Sequence, residues 1–535
     1  MHNIVIVGGG SSGWLTAAYL LSKLDSQLRS DLNFTLIEAS DIPTIGVGEA
    51  TTPSLRSTLA DIGVDEFKFM RACNATFKHG IIFENWTKSP EEDPNDVYFH
   101  PFERPLRAGS EGLESYWLRG LDPHKRSFDD AVSIQYALAR LNLAPKGAKD
   151  KPYSSPIPYA YHLDAGLLAD ALKQLSKDRG IKHIVDKVVG VETDNDGNIS
   201  ALNMESGRLV EGDLFIDCSG FVGLLIDKHY KQPFTDYSDI LFCDSAITCQ
   251  IPHKPNQTIQ SFTRSSAREN GWIWDIGLSN RKGIGYVYSS KYSTDDEAER
   301  VLRDYVGSAI DSVAIRKLKF PVGYRKKQWV KNCVAVGLSS GFIEPLESTG
   351  IHLVEQSAWA LASMLPRFFS GSSPQEQYNS IMNGHYEMTI NFVKYHYILS
   401  QRTDSQFWID NVNPASWTDW LKDKVNVWKT SFPDTYDLDK LHTIFDHASY
   451  QYVYFGMHGR PELNSVRGKK DKFAIRVFDQ IYAGLNNAQR ILPTHNDLLR
   501  FIHHGDRTKL KAQDVEKFSA ANTSLLNIPS NYSVR

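Results

Sequence analysis

The chain opens with a short apolar segment that runs directly into a glycine-rich turn. Residues 3–7 read NIVIV, an uninterrupted apolar run that is typical of a parallel strand covered on both faces. Gly8, Gly10 and Gly13 follow in a GxGxxG arrangement, and residues 12–25 predict the next helix. Glycines at this spacing allow a tight turn and let a pyrophosphate approach the backbone at the helix N-terminus. The segment therefore predicts a βαβ unit that binds a dinucleotide.

An acidic residue closes the second predicted strand of this unit. Residues 34–37, FTLI, predict that strand, and Glu38 follows 25 residues after Gly13. A carboxylate at this place can accept hydrogen bonds from ribose hydroxyl groups. The position at the start of the chain favours FAD, by analogy with two-domain flavoproteins, and the sequence has no second GxGxxG that would indicate bound NAD(P)H. A glycine-rich turn without any ligand is the alternative interpretation.

Composition excludes several classes of protein. A net charge of −4 gives no broad attraction to nucleic acid or to anionic membranes. No apolar run approaches the roughly 20 residues that a membrane span needs, and the N-terminus has no secretory signal. The five cysteines form no CxxC pair, so they predict neither a disulfide framework nor a zinc site. We therefore expect a cytoplasmic protein without a metal; a homodimer is left open.

The pattern along the chain predicts an α/β protein in two main parts. Residues 1–374 predict a nucleotide-binding core, with the strands of a second sheet at 240–325. Residues 87–155 are rich in Pro, Asp, Glu and Gly and predict an insertion of loops with a helix near 128–142. Residues 375–535 predict a mostly helical module. The 535 residues are enough for such cooperating modules around a large core.

Five further segments resemble the flavin-dependent tryptophan halogenase family. In chain order they are GVGEAT at 46–51 (the flavin strap), TFKHG at 76–80 (the active-site lysine), DCSGF at 217–221 (a second flavin-domain turn), GWIWDI at 271–276 (the WxWxIP signature) and EPLESTGI at 344–351 (the halide and glutamate segment). With the glycine turn they are distributed over residues 8–351, which is about two thirds of the chain, and QRTD at 401–404 extends the resemblance. The resemblance implies a Rossmann-like FAD-binding core of the glutathione-reductase type, a substrate-side β-sheet and a helical C-terminal module that binds substrate.

The resemblance also implies a reaction. FADH2, supplied by a separate flavin reductase, oxygen and chloride or bromide give hypohalous acid, which halogenates a small indole-type aromatic substrate. Lys78 would guide this reagent to one ring position. Its neighbours Phe77, Ile81 and Ile82 are apolar, so desolvation is expected to lower its pKa. Without the resemblance, a surface lysine would be the simpler interpretation.

A carboxylate is needed to stabilise the cationic ring that forms during halogenation. Glu347, with Ser348 beside it, is the candidate, and Glu344 is the nearby alternative. A glutamate in the first turn of a helix could instead only favour the helix dipole. Backbone N–H groups of Thr349 and Gly350, near the start of a long helix, predict a halide site.

The remaining site residues are assigned by the resemblance. Trp272 and Trp274 would form a barrier between substrate and flavin, although Gly277 replaces the proline of the signature. His100 and Phe102 would stack on the indole, with Tyr450 and Tyr454 also contacting substrate. The expected flavin contacts are Gly8, Gly9, Gly10, Ser12, Gly13, Glu38, Val47, Gly48, Glu49, Ala50, Val188, Leu338 and Ile351.

The segment around Tyr450 also predicts a substrate preference. No carboxylate occurs between His447 and Pro461, so no partner for the ammonium group of free tryptophan is evident there. Indole, or an indole without the amino-acid tail, is therefore expected to react better than tryptophan.

Two other functions share part of these features. A flavin-dependent aromatic hydroxylase would share the glycine turn, Glu38 and the strap, but it would not need Lys78, Glu347 or the two tryptophans. A non-catalytic flavin-binding protein would need none of the catalytic candidates. The histidines at 396, 503 and 504 lack the spacing of metal ligands and are interpreted as structural or surface residues.

Overall fold

The strands of the computed structural model fall into one large parallel sheet, one large mixed sheet and several small ones. The structure describes residues 2–24, 29–41, 48–438, 444–461 and 471–505. Within them the strands are β1 His2–Val7, β2 Leu32–Glu38, β3 Glu49–Ala50, β4 Thr76–Lys78, β5 Gly80–Glu84, β6 Val97–Pro101, β7 Arg107–Ala108, β8 Glu111–Gly112, β9 Ala160–Leu163, β10 Lys182–Val185, β11 Val188–Thr193, β12 Ile199–Met204, β13 Leu209–Glu211, β14 Leu214–Asp217, β15 Thr235–Asp236, β16 Ser245–Pro252, β17 Thr263–Arg268, β18 Gly271–Gly277, β19 Arg281–Tyr288, β20 Ile315–Lys319, β21 Gly323–Tyr324, β22 Trp329–Val330, β23 Cys333–Ala335 and β24 Gly341–Phe342.

The helices lie between these strands and at the C-terminal end of the described chain. They are α1 Ser11–Lys23, α2 Ser54–Ile62, α3 Glu66–Ala72, α4 Glu114–Leu118, α5 Phe128–Val132, α6 Gln135–Arg140, α7 Ala165–Asp178, α8 Asp295–Val306, α9 Thr349–Phe369, α10 Gln375–Ile398, α11 Gln406–Val412, α12 Asp419–Trp428, α13 His447–Gly456, α14 Asp471–Ile491 and α15 His495–His504. No helix in the described ranges is long and apolar enough to cross a membrane.

The first large sheet is the predicted nucleotide-binding core. Its strand order is β10-β2-β1-β14-β23-β22, and every neighbouring pair is parallel except β22 with β23. The inner strand β1 is buried from Ile4 to Val7, which explains its continuous apolar run. Helix α1 packs between α7 and α9. The α/β fold and the opening βαβ unit are confirmed.

The second large sheet has seven strands in the order β20-β16-β19-β18-β17-β5-β6. Five of its strands, β16 to β20, lie within the predicted segment 240–325, but β5 and β6 come from earlier in the chain, and helix α8 in that segment was not predicted. A capping box begins α8: Thr294 accepts a hydrogen bond from the Glu297 backbone, and the Glu297 side chain accepts one from the Thr294 backbone. The edge strand β6 comes from the segment predicted as an insertion, so that segment contributes directly to the sheet.

A small sheet of three strands, β3-β9-β4, joins two of the predicted site segments. Strand β9 lies in the middle and pairs antiparallel with both neighbours, which sets Ala50 and Thr76 on either side of His162. Lys78 is the last residue of β4. Thr51, at the end of the strap, and Lys78 therefore lie next to each other, although they are 27 residues apart in the sequence.

The C-terminal helices pack over the segment from β6 to α6. Helix α13 packs against β6 and α5, and α14 packs against α5, α6 and β7. The predicted helical character from residue 375 onward agrees with helices α10 to α15. The division into modules at residue 374 stays a prediction.

Candidate active site

The glycine turn after β1 is too crowded for a side chain at several of its positions. A Cβ atom on Gly8 would lie 2.1 Å from the Cys218 carbonyl oxygen, and φ at Gly8 is +120°. A Cβ atom on Gly13 would lie 1.9 Å from the Gly8 carbonyl oxygen. A Cβ atom on Gly9 would collide with the Glu38 carboxylate. The turn therefore needs glycine for close packing of strand, helix and Glu38.

Gly10, by contrast, faces open space, since a Cβ atom placed on it would have no described atom within 4 Å. Gly10 is the N-cap of α1, and no side chain caps the helix. The first N–H groups of α1 are therefore left for an anion, and the helix dipole favours one there. This open cradle fits the pyrophosphate of a dinucleotide.

Glu38 lies at the carboxyl end of β2, beside this turn. Its Oε1 atom accepts hydrogen bonds from Lys173 and from His183 Nε2, the latter at 2.9 Å. Burial would raise the pKa of Glu38, but Lys173 and His183 lower it below its ordinary value. Oε2 is 3.4 Å from the Trp14 Nε1 donor. An ionised, partly exposed carboxylate in this place is suited to accept hydrogen bonds from ribose.

The other predicted flavin contacts come from several separate elements of the chain. A Cβ atom on Gly337 would lie 2.2 Å from the Ser12 hydroxyl oxygen. The turn that carries Leu338 therefore packs against α1. Val188 begins β11, just after Asp186 donates its N–H to the Glu38 carbonyl oxygen. Gly48, Glu49 and Ala50 lead into β3, Ile351 lies in the first turn of α9, and Val47 lies outside the described residues. Their contacts with flavin stay predictions.

Lys78 is completely buried, which excludes the surface-lysine interpretation. Its Nζ atom donates hydrogen bonds to the Thr51 carbonyl oxygen at 3.2 Å and to Ser348 Oγ at 2.8 Å. The Phe102 ring centroid lies 5.4 Å from Nζ. Burial lowers the pKa of Lys78 to about 7, against the opposing attraction of Glu347. Near neutral pH the amine is therefore half deprotonated.

Glu347 lies in the same buried pocket and faces two histidines. His100 Nδ1 is 3.0 Å from both carboxylate oxygens and donates to them, and His396 Nε2 is 2.9 Å from Oε1. Burial alone would raise the pKa of Glu347, but His100 and then His396 lower it to about 2. Glu347 is therefore a fixed anion next to Lys78 at any pH near neutrality.

The backbone between Glu347 and helix α9 is unusual. Ser348 has φ +62° and ψ +34°, a left-handed conformation that a residue other than glycine, asparagine or aspartate seldom adopts. This bend turns the Ser348 hydroxyl toward Lys78 and begins α9 without a side-chain cap. Thr349 is buried, whereas Gly350 is exposed with open space around it. The uncapped helix start at Thr349 and Gly350 fits an anion, as predicted for halide.

The predicted ring-binding residues fall into two groups. His100 and Phe102 leave the end of β6 close to Lys78 and Glu347, as described above. Tyr450 and Tyr454 lie on the other face of α13: the Tyr450 ring packs on Phe392 and Tyr395, and the Tyr454 hydroxyl donates to the Trp428 carbonyl oxygen. Their role as substrate contacts stays a prediction.

Tyr452, which lies between Tyr450 and Tyr454 in the sequence, is close to the predicted ring-binding residue His100. Tyr452 has its ring centroid 6.3 Å from that of His100, and its hydroxyl donates to the Glu103 carbonyl oxygen. Helix geometry explains this, because residues two apart point to opposite sides.

The two tryptophans of β18 lie side by side on one face of the second sheet. Their ring centroids are 6.3 Å apart; Trp272 is buried and Trp274 is partly exposed. Trp272 Nε1 donates to Glu344 Oε2 at 2.8 Å. At the end of the strand, the Gly277 carbonyl oxygen accepts a hydrogen bond from Thr76 Oγ1, so the strand remains tied to β4 without the proline of the signature.

Sequence reasoning missed one member of this site. His396 was interpreted as structural or surface, but it is fully buried, and its Nδ1 atom lies 2.7 Å from the Tyr98 hydroxyl. No local pattern marks it, because its partners come from β6 and from the turn before α9. His503 hydrogen-bonds the Ala75 carbonyl oxygen, and His504 is exposed. Within the described ranges no group of three or more His, Cys, Asp or Glu side chains is arranged to hold a metal ion.

Known proteins share both the sequence and the fold. Residues 3–470 match the family model described as tryptophan halogenase. Tryptophan 7-halogenase RebH of Lentzea aerocolonigenes is 32% identical over 536 residues, covering 94% of this chain and 99% of that protein. The crystal structure of a tryptophan halogenase from Shewanella frigidimarina superposes with a TM-score of 0.89 at 38% identity, covering 94% and 98% of the two chains.

A second solved structure adds the cofactor class. Tar14, a tryptophan C-6 flavin-dependent halogenase from taromycin biosynthesis, has a TM-score of 0.86 at 35% identity, covering 94% of this chain and all of the other. The range matched by the family model includes the glycine turn, Lys78, Glu347 and most of the described C-terminal helices. The chain therefore belongs to the tryptophan halogenase family.

Proposed function

We propose that this chain is an FADH2-dependent halogenase that transfers chlorine or bromine to an indole-type aromatic ring. A separate flavin reductase supplies the reduced cofactor. Reduced FAD held in the cradle at the start of α1 would supply two electrons to oxygen, which would oxidise halide to hypohalous acid and leave water and oxidised FAD. The observation that carries the proposal is the contact of the buried Lys78 amine with Ser348, beside the Glu347 carboxylate and His100.

Lys78 receives and orients the electrophilic halogen. A neutral amine has two N–H groups, and the Thr51 carbonyl and Ser348 hydroxyl oxygens accept two hydrogen bonds from Nζ. The lone pair of the neutral amine is then left to bind the halogen or the proton of hypohalous acid. A pKa of about 7 keeps a large share of the amine in this form at neutral pH.

Glu347 serves the ring rather than the halogen. Electrophilic attack makes the ring cationic, and a fixed buried anion stabilises that charge most where water is excluded. Because its pKa is about 2, Glu347 needs no proton transfer to be ready for this role. His100, which holds both carboxylate oxygens, orients it and offers a flat face near the ring. The carboxylate can also accept the proton that leaves the ring.

The reaction is tested by product mass. Purified protein is incubated with indole, FAD, a flavin reductase, NADH and bromide. A product with the bromine isotope pattern is expected. Addition of a single oxygen would instead indicate a hydroxylase, and no product from indole or tryptophan would indicate a flavin-binding protein without this activity.

The substrate preference is tested by competition. On α13 no carboxylate is available for the ammonium group of free tryptophan, and Glu462 lies outside the described residues. Burying an unpaired ammonium group costs several kcal/mol, so we expect indole to be consumed about tenfold faster than tryptophan in an equimolar mixture. Preferential halogenation of tryptophan would show that another part of the chain binds the ammonium group.

A further inference from the structure

A second buried carboxylate lies on the other side of the turn that carries Glu347. Glu344 is fully buried, and its Oε2 atom accepts two hydrogen bonds, from Trp272 Nε1 at 2.8 Å and from the Tyr397 hydroxyl at 2.8 Å. Oε1 has no hydrogen-bond donor among the described residues. A buried acid with so few partners is costly to keep, which argues for a specific role.

The partners of Glu344 connect it to the reaction pocket at two points. Trp272 is one of the two tryptophans of β18, and Tyr397 directly follows His396, which contacts Glu347. His396 and Tyr397, near the end of α10, therefore contact Glu347 and Glu344, two carboxylates of the same short turn. Trp86 packs against both partners of Glu344, with its ring centroid 5.1 Å from that of Tyr397 and 6.5 Å from that of Trp272.

A buried lysine lies nearby. Lys394, one turn before Tyr397 on α10, is fully buried and donates to Asn411 Oδ1 at 2.7 Å. Its amino group lies 4.7 Å from the centroid of the Phe242 ring. Burial lowers the pKa of Lys394 to about 7 and raises that of Glu344 to about 7, and the electrostatic attraction between the two groups opposes both shifts.

We propose that Glu344 is a positioning residue that holds the Trp272 indole by its N–H. It thereby fixes the two tryptophans of β18 relative to the turn that carries Glu347 and Ser348. The role rests on the proposed halogenation, because the position of the two tryptophans matters only if hypohalous acid must reach Lys78. Without this anchor the Trp272 ring loses its hydrogen bond, and reduced flavin is consumed without halogenating the substrate.

The variants are chosen to separate this hydrogen bond from packing and from general stability. Glu344→Ala removes the acceptor, and Glu344→Gln keeps an acceptor oxygen. Trp272→Phe removes the donor and keeps a ring. Glu114→Ala is the matched control, since Glu114 is also a buried glutamate whose pKa burial raises, but it lies in α4.

The first readout does not depend on activity. In protein labelled with ¹⁵N-tryptophan, the indole resonance that disappears in Trp272→Phe belongs to Trp272, one of 11 tryptophans. That resonance should move in Glu344→Ala and stay in place in Glu114→Ala. An unchanged position in Glu344→Ala would overturn the inference, because the hydrogen bond would then not exist.

The second readout is coupling, the halogenated product formed per reduced flavin oxidised, at matched protein folding and flavin occupancy. Glu344→Ala should lower coupling about fivefold or more, and Glu344→Gln should retain it within about twofold of wild type. The Trp272→Phe and Glu344→Ala effects should not multiply in the double variant, since both break one interaction. Unchanged coupling in Glu344→Ala, an equal loss in Glu114→Ala, or fully multiplicative effects would each overturn the inference.

The wild-type protein separates the two proposals. If it halogenates indole or tryptophan and Glu344→Ala is normally coupled, only the role of Glu344 is wrong. If the wild type makes no halogenated product, the proposed function is wrong, and the role of Glu344 in coupling is overturned with it, even if the Trp272 resonance moves.

Discussion

Glu344 and Glu347 lie three residues apart in one short turn and are both fully buried, yet their surroundings give them opposite properties. On the Lys78 side, His100 and His396 lower the pKa of Glu347 to about 2. On the Trp272 side, burial raises the pKa of Glu344 to about 7, although Trp272, Tyr397 and Lys394 act against it. Burial is therefore not what decides the charge of a carboxylate here. The partners that the rest of the fold brings to each side decide it.

The energetic consequence differs as well. Glu347 accepts a charge-assisted hydrogen bond from His100, worth about 1.5–3 kcal/mol, and His396 Nε2 lies close to the same carboxylate. Glu344 accepts from an indole and a phenol, and its pKa of about 7 makes these bonds charge-assisted only while the carboxylate is ionised. On the Lys78 side of the turn, Glu347 is thus an anion throughout the neutral pH range. On the Trp272 side, Glu344 holds the indole, as we propose. The predictions below test that contrast.

The largest expected effect concerns Lys78. Lys78→Ala should reduce halogenated product by at least about a thousandfold, because it removes the amine that contacts Ser348 and that, in the proposed function, receives the halogen. Oxygen should still oxidise reduced flavin at a normal rate. Product yield by chromatography and flavin absorbance check this pair of results; near-normal yield would show that another group guides the halogen.

The next effect compares the two carboxylates directly. Glu347→Gln should lower the halogenation rate by about two orders of magnitude, the scale of lost electrostatic or acid–base assistance. Glu344→Gln should lower it by less than about threefold, since Gln can still accept from Trp272 and Tyr397. Single-turnover rates with pre-reduced flavin check both. Equal losses would remove the distinction between a catalytic carboxylate and an anchoring one.

The smallest effect is the dependence on pH. The pKa of Lys78 is about 7, so the neutral fraction of its amine rises about tenfold between pH 6 and pH 8. Glu347 stays ionised throughout this range because its pKa is about 2. The halogenation step should therefore accelerate up to about tenfold and then level off. A rate that falls as pH rises would mean that the protonated lysine is the active form.

The sequence identified the parts of the site that are made of neighbouring residues. The glycine turn could be predicted, because its function lies in the backbone of consecutive positions and in the collisions that exclude a Cβ atom at Gly8 and Gly13. The segments around Lys78 and Glu347 could be predicted for the same reason, through the resemblance they carry. Tyr450 and Tyr454 were assigned through the resemblance; Tyr450 packs on Phe392 and Tyr454 donates to the Trp428 carbonyl oxygen, so their role as substrate contacts stays a prediction.

What only the tertiary structure decided is which of these segments meet, and in what charge state. Lys78 and Ser348 are 270 residues apart, His100 and Glu347 are 247 apart, and Trp272 and Glu344 are 72 apart. By itself the sequence determined the α/β fold and the glycine turn, and it predicted the residues to which we assign halogen transfer. It could not determine that Glu347 is a permanent anion while Glu344 is not. A pKa depends on the distance to partners and on the exclusion of water, and both exist only in the folded chain.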